Sequence, residues 1–358
     1  MKKVLIYPFT EEMAPFVKQE NLLKDIDITS IVSLKGNGIL GDKYKFNGKS
    51  LEVSENFDKE LEKCTYILLN NFYSDESENI ILENIKKAVN HGKKIIFFSN
   101  SNSNIDNLKM IIPKEQQFEI NSSKNMVKDF QGRIYNIDTP VIFVCSIFEG
   151  LEKFDIQLAL RNKLLIDGYK VLQIGTRQVC ELFDFYSFPE FMCSNNIEEQ
   201  DKVLMLNNTL KKLELEKKPD LIIIGIPGGI LPFSSKAFGD FGITMYKVLQ
   251  AVTPDCTILS IPYGKYSDEE ISYFGKITKS KFNIEVDYYN IAAKSILSHP
   301  TETMGKPFYL TLGKSLVEKK IATLQNKNVF CLSNKSEIDR LIELMIKEFI
   351  KYGTVASI

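Results

Sequence analysis

Residues 139–177, TPVIFVCSIFEGLEKFDIQLALRNKLLIDGYKVLQIGTR, leave this chain few folds to choose from. The run Val141–Cys145 is continuously apolar, as a strand covered on both faces is. A loop from Ser146 to Lys153 carries Gly150. An amphipathic helix follows, with Phe154, Leu158 and Leu165 among its apolar positions and Gly168 placed to end it. A second strand, Lys170–Gly175, comes next. Strand, loop, helix and strand at this spacing predict a βαβ unit, whose right-handed crossover makes the strands parallel. Where such a loop turns into its helix, backbone N–H groups and the positive end of the helix dipole favour a phosphate. Lys153 sits at that turn.

The loop can be set against the phosphate-binding pattern G-x-x-x-x-G-K-[ST]. With Gly150 on the second glycine, Cys145 falls on the first, and Leu151 and Glu152 fall on the lysine and hydroxyl positions. Lys153 is then displaced by two residues, and Glu149 and Glu152 bring negative charge to the loop. The architecture is that of a P-loop with its chemistry altered.

Before this unit the chain reads as a smaller α/β sheet. Val4–Phe9, Ile28–Leu34, Tyr66–Asn70 and Lys94–Ser99 have strand composition. Helices are expected over about Met13–Leu23 and, from a Ser77 cap, over a stretch carrying Ile80, Ile81, Ile85, Ala88 and Val89 that closes at His91-Gly92. Gly36–Gly41, GNGILG, spells the dinucleotide fingerprint G-x-G-x-x-G, and an NAD site there would need a helix opening at Gly41. The sequence instead continues DKYKFNGKS, with Asn47-Gly48 marking a hairpin turn. Residues 100–107 are rich in Asn and Ser, and a poorly patterned stretch follows. The expected division is a Rossmann-like domain over 1–135 and a second domain over 136–358.

The second domain continues with a helix over about Ile197–Glu216, ended by Pro219, and a buried strand Leu221–Ile224. Further strands are expected at Cys256–Ile261, Ile284–Tyr289 and Val329–Leu332, and a last helix capped by Ser336. The fold class is therefore α/β, two doubly wound, mostly parallel sheets, the second a divergent P-loop NTPase-like domain. The 358 residues, 44% hydrophobic with a formal net charge of −1, suit about two domains of ordinary size and give no electrostatic reason to expect nucleic acid. Met-Lys-Lys leading into VLIYPF is too short for a signal peptide or membrane span, so a cytoplasmic protein without a membrane partner is expected. Cys64, Cys145, Cys180, Cys193, Cys256 and Cys331 form no C-x-x-C pair, and His91 and His299 are the only histidines. Neither a thiolate metal site nor a histidine triad has its material.

Ligands of open parallel sheets lie outside the carboxyl ends of the strands. Three such exits converge if the strands are parallel: Ser146–Lys153, Gly175–Arg177 and Gly225–Gly229. The candidate ligand-binding residues are Glu149, Gly150, Lys153, Asp155, Thr176, Arg177, Gly228 and Gly229, with no metal ligand assigned. Lys153 and Arg177 can grip phosphate or carboxylate, and the glycines allow close backbone approach. Glu149, Glu152 and Asp155 could shuttle a proton or meet a metal, but acids at a helix start are more often solvated and favoured by the dipole. The aromatic run Phe183–Phe188 could line a pocket or a partner groove, with loop packing the favoured reading, and Asp240-Phe241-Gly242 lacks the other kinase signatures.

The series KFDIQLALRNKLLIDGYKVLQIGTR, CELFDFYSFPEF and KPDLIIIGIPGGI resembles the peptide maturation system protein family, whose members accompany radical-SAM maturases of ribosomally made peptides in bacterial gene clusters. VLIYPF and GNGILG are similar too, so the resemblance spans nearly the whole chain. More distantly, the second half resembles dethiobiotin synthetase-like P-loop NTPases. In those, an acid precedes the glycine pair; with the pair on Gly228-Gly229, Gly225 stands in its place. The resemblance implies an accessory protein whose partner is a radical-SAM maturase or a precursor peptide. A nucleotide with magnesium is the cofactor left open. The alternative is a nucleotide-dependent ligase or transferase acting on a peptide or small carboxylate.

Overall fold

The computed structural model describes residues 1–70, 77–98, 104–120, 130, 132–332 and 334–355. The chain forms two compact units, Met1–Lys124 with Glu181–Asp184, and Asn125–Cys180 with Phe185–Ile358.

In the first unit, β1 (Lys2–Tyr7) leads to α1 (Ala14–Lys18), β2 (Ile26–Ile31), the hairpin β3 (Lys43–Phe46) and β4 (Lys49–Glu52), then α2 (Phe57–Leu61) and β5 (Tyr66–Leu69). After these come α3 (Glu78–Asn90), β6 (Lys94–Phe98), α4 (Asn104–Ile111) and β7 (Gln117–Ile120). The sheet order is β2-β1-β5-β6-β7 with every pair parallel, a doubly wound arrangement. Val4, Leu5, Ile6, Ile67, Leu68 and Ile95 are buried along its strands.

Some expectations are corrected here. The helix foreseen over residues 13–23 is broken into α1 and two 3-10 turns, because Gln19 leaves helical backbone at φ −119° and ψ 50°. Ser77 precedes α3 but makes no side-chain cap bond: its backbone is already helical, at φ −91° and ψ −7°, where a capping residue is extended. No helix opens at Gly41. The chain enters β3, and Asn47-Gly48 turns with φ of 47° and 73°, so GNGILG lacks the helix an NAD site requires. Part of the Asn/Ser-rich stretch, residues 100–103, lies outside the described residues, as does Ser99 at the end of the expected strand before it.

The second unit begins with β8 (Val141–Ser146), α5 (Lys153–Ile166), β9 (Val171–Ile174), α6 (Glu199–Lys217), β10 (Leu221–Gly225), α7 (Ile243–Ala251) and β11 (Cys256–Ile261). It continues through α8 (Asp268–Phe282), β12 (Tyr288–Ile291), β13 (Lys294–Ile296), α9 (Ser298–Met304), β14 (Tyr309–Thr311), α10 (Lys314–Ile321), β15 (Val329–Phe330) and α11 (Lys335–Val355). The sheet runs β15-β12-β11-β8-β10-β9, all parallel, so β10 lies between the two strands of the βαβ unit. Alternate strand residues serve two cores. Ile142, Val144, Ile223 and Ile258 pack beneath α5 and α11, while Phe143, Cys145, Ile224 and Leu259 meet α6, α7 and α8. The connection from β8 runs toward β9 and that from β11 toward β12. Their carboxyl ends therefore open a crevice at the point where the winding reverses. Ser336 falls inside the first turn of α11, and the Asn334 side chain accepts its N–H at 3.1 Å, taking the capping role. Among the described residues no helix is long and apolar enough to cross a membrane.

Candidate functional site

The loop after β8 is tied at its root to both neighbouring strands. The Ile147 N–H donates to the Ser260 carbonyl of β11 at 2.9 Å, and the N–H groups of Ile230 and Leu231 donate to the carbonyls of Ser146 and Ile147 at 3.0 and 3.1 Å. Gly150 and Glu152 then take left-handed backbone, φ 85° and 54°, and the chain turns into α5 with Lys153 as its first residue. The helix start carries no side-chain cap: the Glu152 carboxylate instead accepts from the Ala293 N–H at 3.0 Å. The start of α5 keeps the partial positive charge of a helix N-terminus, which an anion seeks.

This geometry revises the register read from sequence. In space Lys153 opens the helix directly after a left-handed residue, which is the lysine's place in the pattern. What differs is its surroundings: Glu152 stands for the glycine before it and Phe154 for the hydroxyl after it.

Lys153 is only 7% exposed, and its ammonium donates to the Gly228 carbonyl. Burial is the largest influence on it and lowers its pKa from 10.5 to about 8; Glu149, Cys145 and Asp240 favour the charged form and Arg177 opposes it. The third exit reaches this lysine only because it is glycine-built. A Cβ on Gly228 would lie 2.6 Å from that of Asp240, and one on Gly229 would lie 2.8 Å from the Ile147 oxygen and the Phe148 Cα. Asp240 in turn accepts the Thr244 N–H at 2.8 Å in the first turn of α7. Asp240-Phe241-Gly242 is therefore a helix start, and a cap signal in the sequence.

Gln157, one turn into α5 and fully buried, joins the second exit. Its Nε2 donates to the Lys153 carbonyl at 3.0 Å and lies 3.5 Å from the Thr176 hydroxyl, while its Oε1 has no hydrogen-bond partner among the described residues. The amide rests against Gly225, where a Cβ would be 2.4 Å from both Nε2 and Oε1. Arg177 sets its guanidinium 5.0 Å from the centroid of the Phe154 ring, a cation–π contact. Magnesium in a P-loop site needs the hydroxyl after the lysine and a carboxylate from the next strand. Phe154, 2% exposed, and Gly225 stand at those two places, and these residues do not fit the ion.

The β13–β14 hairpin covers the loop from outside. Tyr309 donates its hydroxyl to the Glu149 carbonyl and lays its ring over Gly150, where a Cβ would meet it at 2.9 Å, and Lys294 donates to the Gly150 carbonyl at 3.0 Å. Of the residues proposed from sequence, Gly150, Lys153, Thr176, Gly228 and Gly229 lie in this network and Arg177 borders it. Glu149 is exposed beside Lys153, and Asp155 is half-buried in the first turn of α5. Gln157, Asp240, Lys294 and Tyr309 join the network without any local pattern in the sequence that marks them as site residues. Phe183 and Phe185 are buried, in keeping with packing.

A central parallel strand, its loop and a lysine opening the following helix define an α/β unit of P-loop NTPase-like kind, joined to a second parallel-sheet unit. Among solved structures, a DUF1611 family protein from Anabaena variabilis is similar over 96% of this chain and 100% of its own, with a TM-score of 0.58 and 12% identity. A plasmid partition protein from Borrelia burgdorferi covers 59% of this chain and 99% of its own at TM-score 0.36 and 15% identity. Chloroplast FtsY from Physcomitrella patens covers 62% and 74% at TM-score 0.30 and 12% identity. The first likeness is one of fold, and the two lower scores add nothing to it. No protein-family model matches the chain, and no curated protein matches its sequence.

Proposed function

We propose that the second unit binds a phosphate-bearing ligand at the start of α5 without turning it over. The observation that carries this is Lys153: a buried ammonium at an uncapped helix N-terminus, with the Gly228-Gly229 backbone drawn against the same loop. Burial disfavours the charge of this lysine, and an anion at the helix start would compensate it. The altered hydroxyl and acid positions favour binding over phosphoryl transfer. The sequence resemblance supplies the setting: an accessory protein in the maturation of a ribosomally made peptide, serving a radical-SAM maturase or the precursor peptide.

A thermal-shift screen with pyrophosphate, ADP, ATP and GTP tests the reading. Ligand at a hundred times its Kd adds about 2.7 kcal/mol to stability, which such a screen resolves. The expected result is a shift with one phosphate compound that Lys153→Ala abolishes. Nucleotide hydrolysis that disappears in Lys153→Ala would overturn the binding reading in favour of a nucleotide-dependent ligase or transferase. Co-purification with neighbouring gene products tests the setting separately.

A further inference from the structure

The geometry points to an anion site that works without a divalent cation, with Arg177 on the Phe154 ring in the electrostatic place of the metal. This rests on the phosphate-binding reading above and narrows the ligand to a metal-free phosphate or pyrophosphate group. Two independent features close the metal's place. At the end of β10 the residue is Gly225, which offers no carboxylate, and the buried Gln157 amide fills the space over it, 2.4 Å from where any Cβ would stand. After the lysine, the residue that would offer a hydroxyl is Phe154, 2% exposed, and its face holds a guanidinium 5.0 Å from the ring centroid. Magnesium keeps several waters and sheds them reluctantly, so the buried Gln157 amide oxygen does not stand in for the missing ligands. Arg177 supplies a permanent charge and a planar fork suited to phosphate oxygens, and it lies near enough to oppose the charge of Lys153.

The experiment is isothermal titration calorimetry of the full chain with pyrophosphate, in EDTA and in excess magnesium. Magnesium complexes pyrophosphate, so a metal-free site binds as well or better in EDTA, whereas a metal-dependent site binds better in magnesium. The expected result is equal or tighter binding in EDTA, a loss of about tenfold or more in Arg177→Gln, and partial retention in Arg177→Lys, since lysine keeps the charge but not the fork. Binding that magnesium tightens by about tenfold or more would overturn the inference and leave the phosphate site standing. Rescue of Arg177→Gln by magnesium would overturn it too. No binding in either buffer would remove the phosphate-site reading itself, and this inference with it.

Discussion

Lys153 carries a charge that the surrounding protein disfavours, and the sign of its pH dependence follows. Its folded pKa of about 8 lies below the ordinary 10.5, so between those values the unfolded chain binds more protons than the folded one. Stability therefore rises with pH across that window. The cost, up to about 3 kcal/mol from the shift, is present in full below about pH 8. Lys153→Met is expected to be more stable than the parent at pH 7, with the difference shrinking toward pH 10, as measured by urea denaturation at stepped pH. Ligand binding carries the opposite sign: a phosphate needs the ammonium, so affinity is expected to fall as pH rises through about 8, and calorimetry in two buffers would show proton uptake on binding. The lysine itself was legible, because a cation at a loop-to-helix turn follows from local pattern. Gln157 was not. A glutamine on a helix reads as surface until the glycines of two other strands are known to lie beneath it.

At the scale of elements, the β13–β14 hairpin holds the loop through Tyr309 and Lys294, while the Ala293 N–H just before it holds Glu152. Gly150→Ala sets a left-handed φ of 85° against the Tyr309 ring, and a loss of about 1–3 kcal/mol is expected in chemical denaturation. Part of that loss should be absent when the same change is made in Tyr309→Ala, because only the steric component is shared. The capping box of α8, in which Ser267 accepts the Glu270 N–H at 3.3 Å and Glu270 accepts that of Ser267 at 2.7 Å, predicts about 1 kcal/mol for Ser267→Ala. The central strands were legible because parallel strands covered on both faces are continuously apolar. Edge strand β7 was not, since its residues are half-buried or exposed. Nor were β13 and β14, three residues each, which are strands only by virtue of each other.

Across the whole molecule, each unit carries its own sheet and core, so ligand effects should be confined. In hydrogen exchange, pyrophosphate is expected to protect residues 147–157 and 225–231 and leave β1, β5 and β6 unchanged; protection confined to the first unit would place the ligand elsewhere. Two parallel sheets were legible as alternating apolar runs and helical stretches, whereas the position of β10 between β8 and β9 is a matter of topology that no local pattern records. The fit of Gln157 over Gly225 has a consequence for descent. An acid at Gly225 would push the buried glutamine aside, and a shorter residue at Gln157 would leave a void over bare backbone, so each single substitution is expected to lower stability. A lineage changing either position alone would pass through a less stable form, whichever residue changes first. Side-chain packing makes the pair epistatic: a change at one position sets the cost of a change at the other.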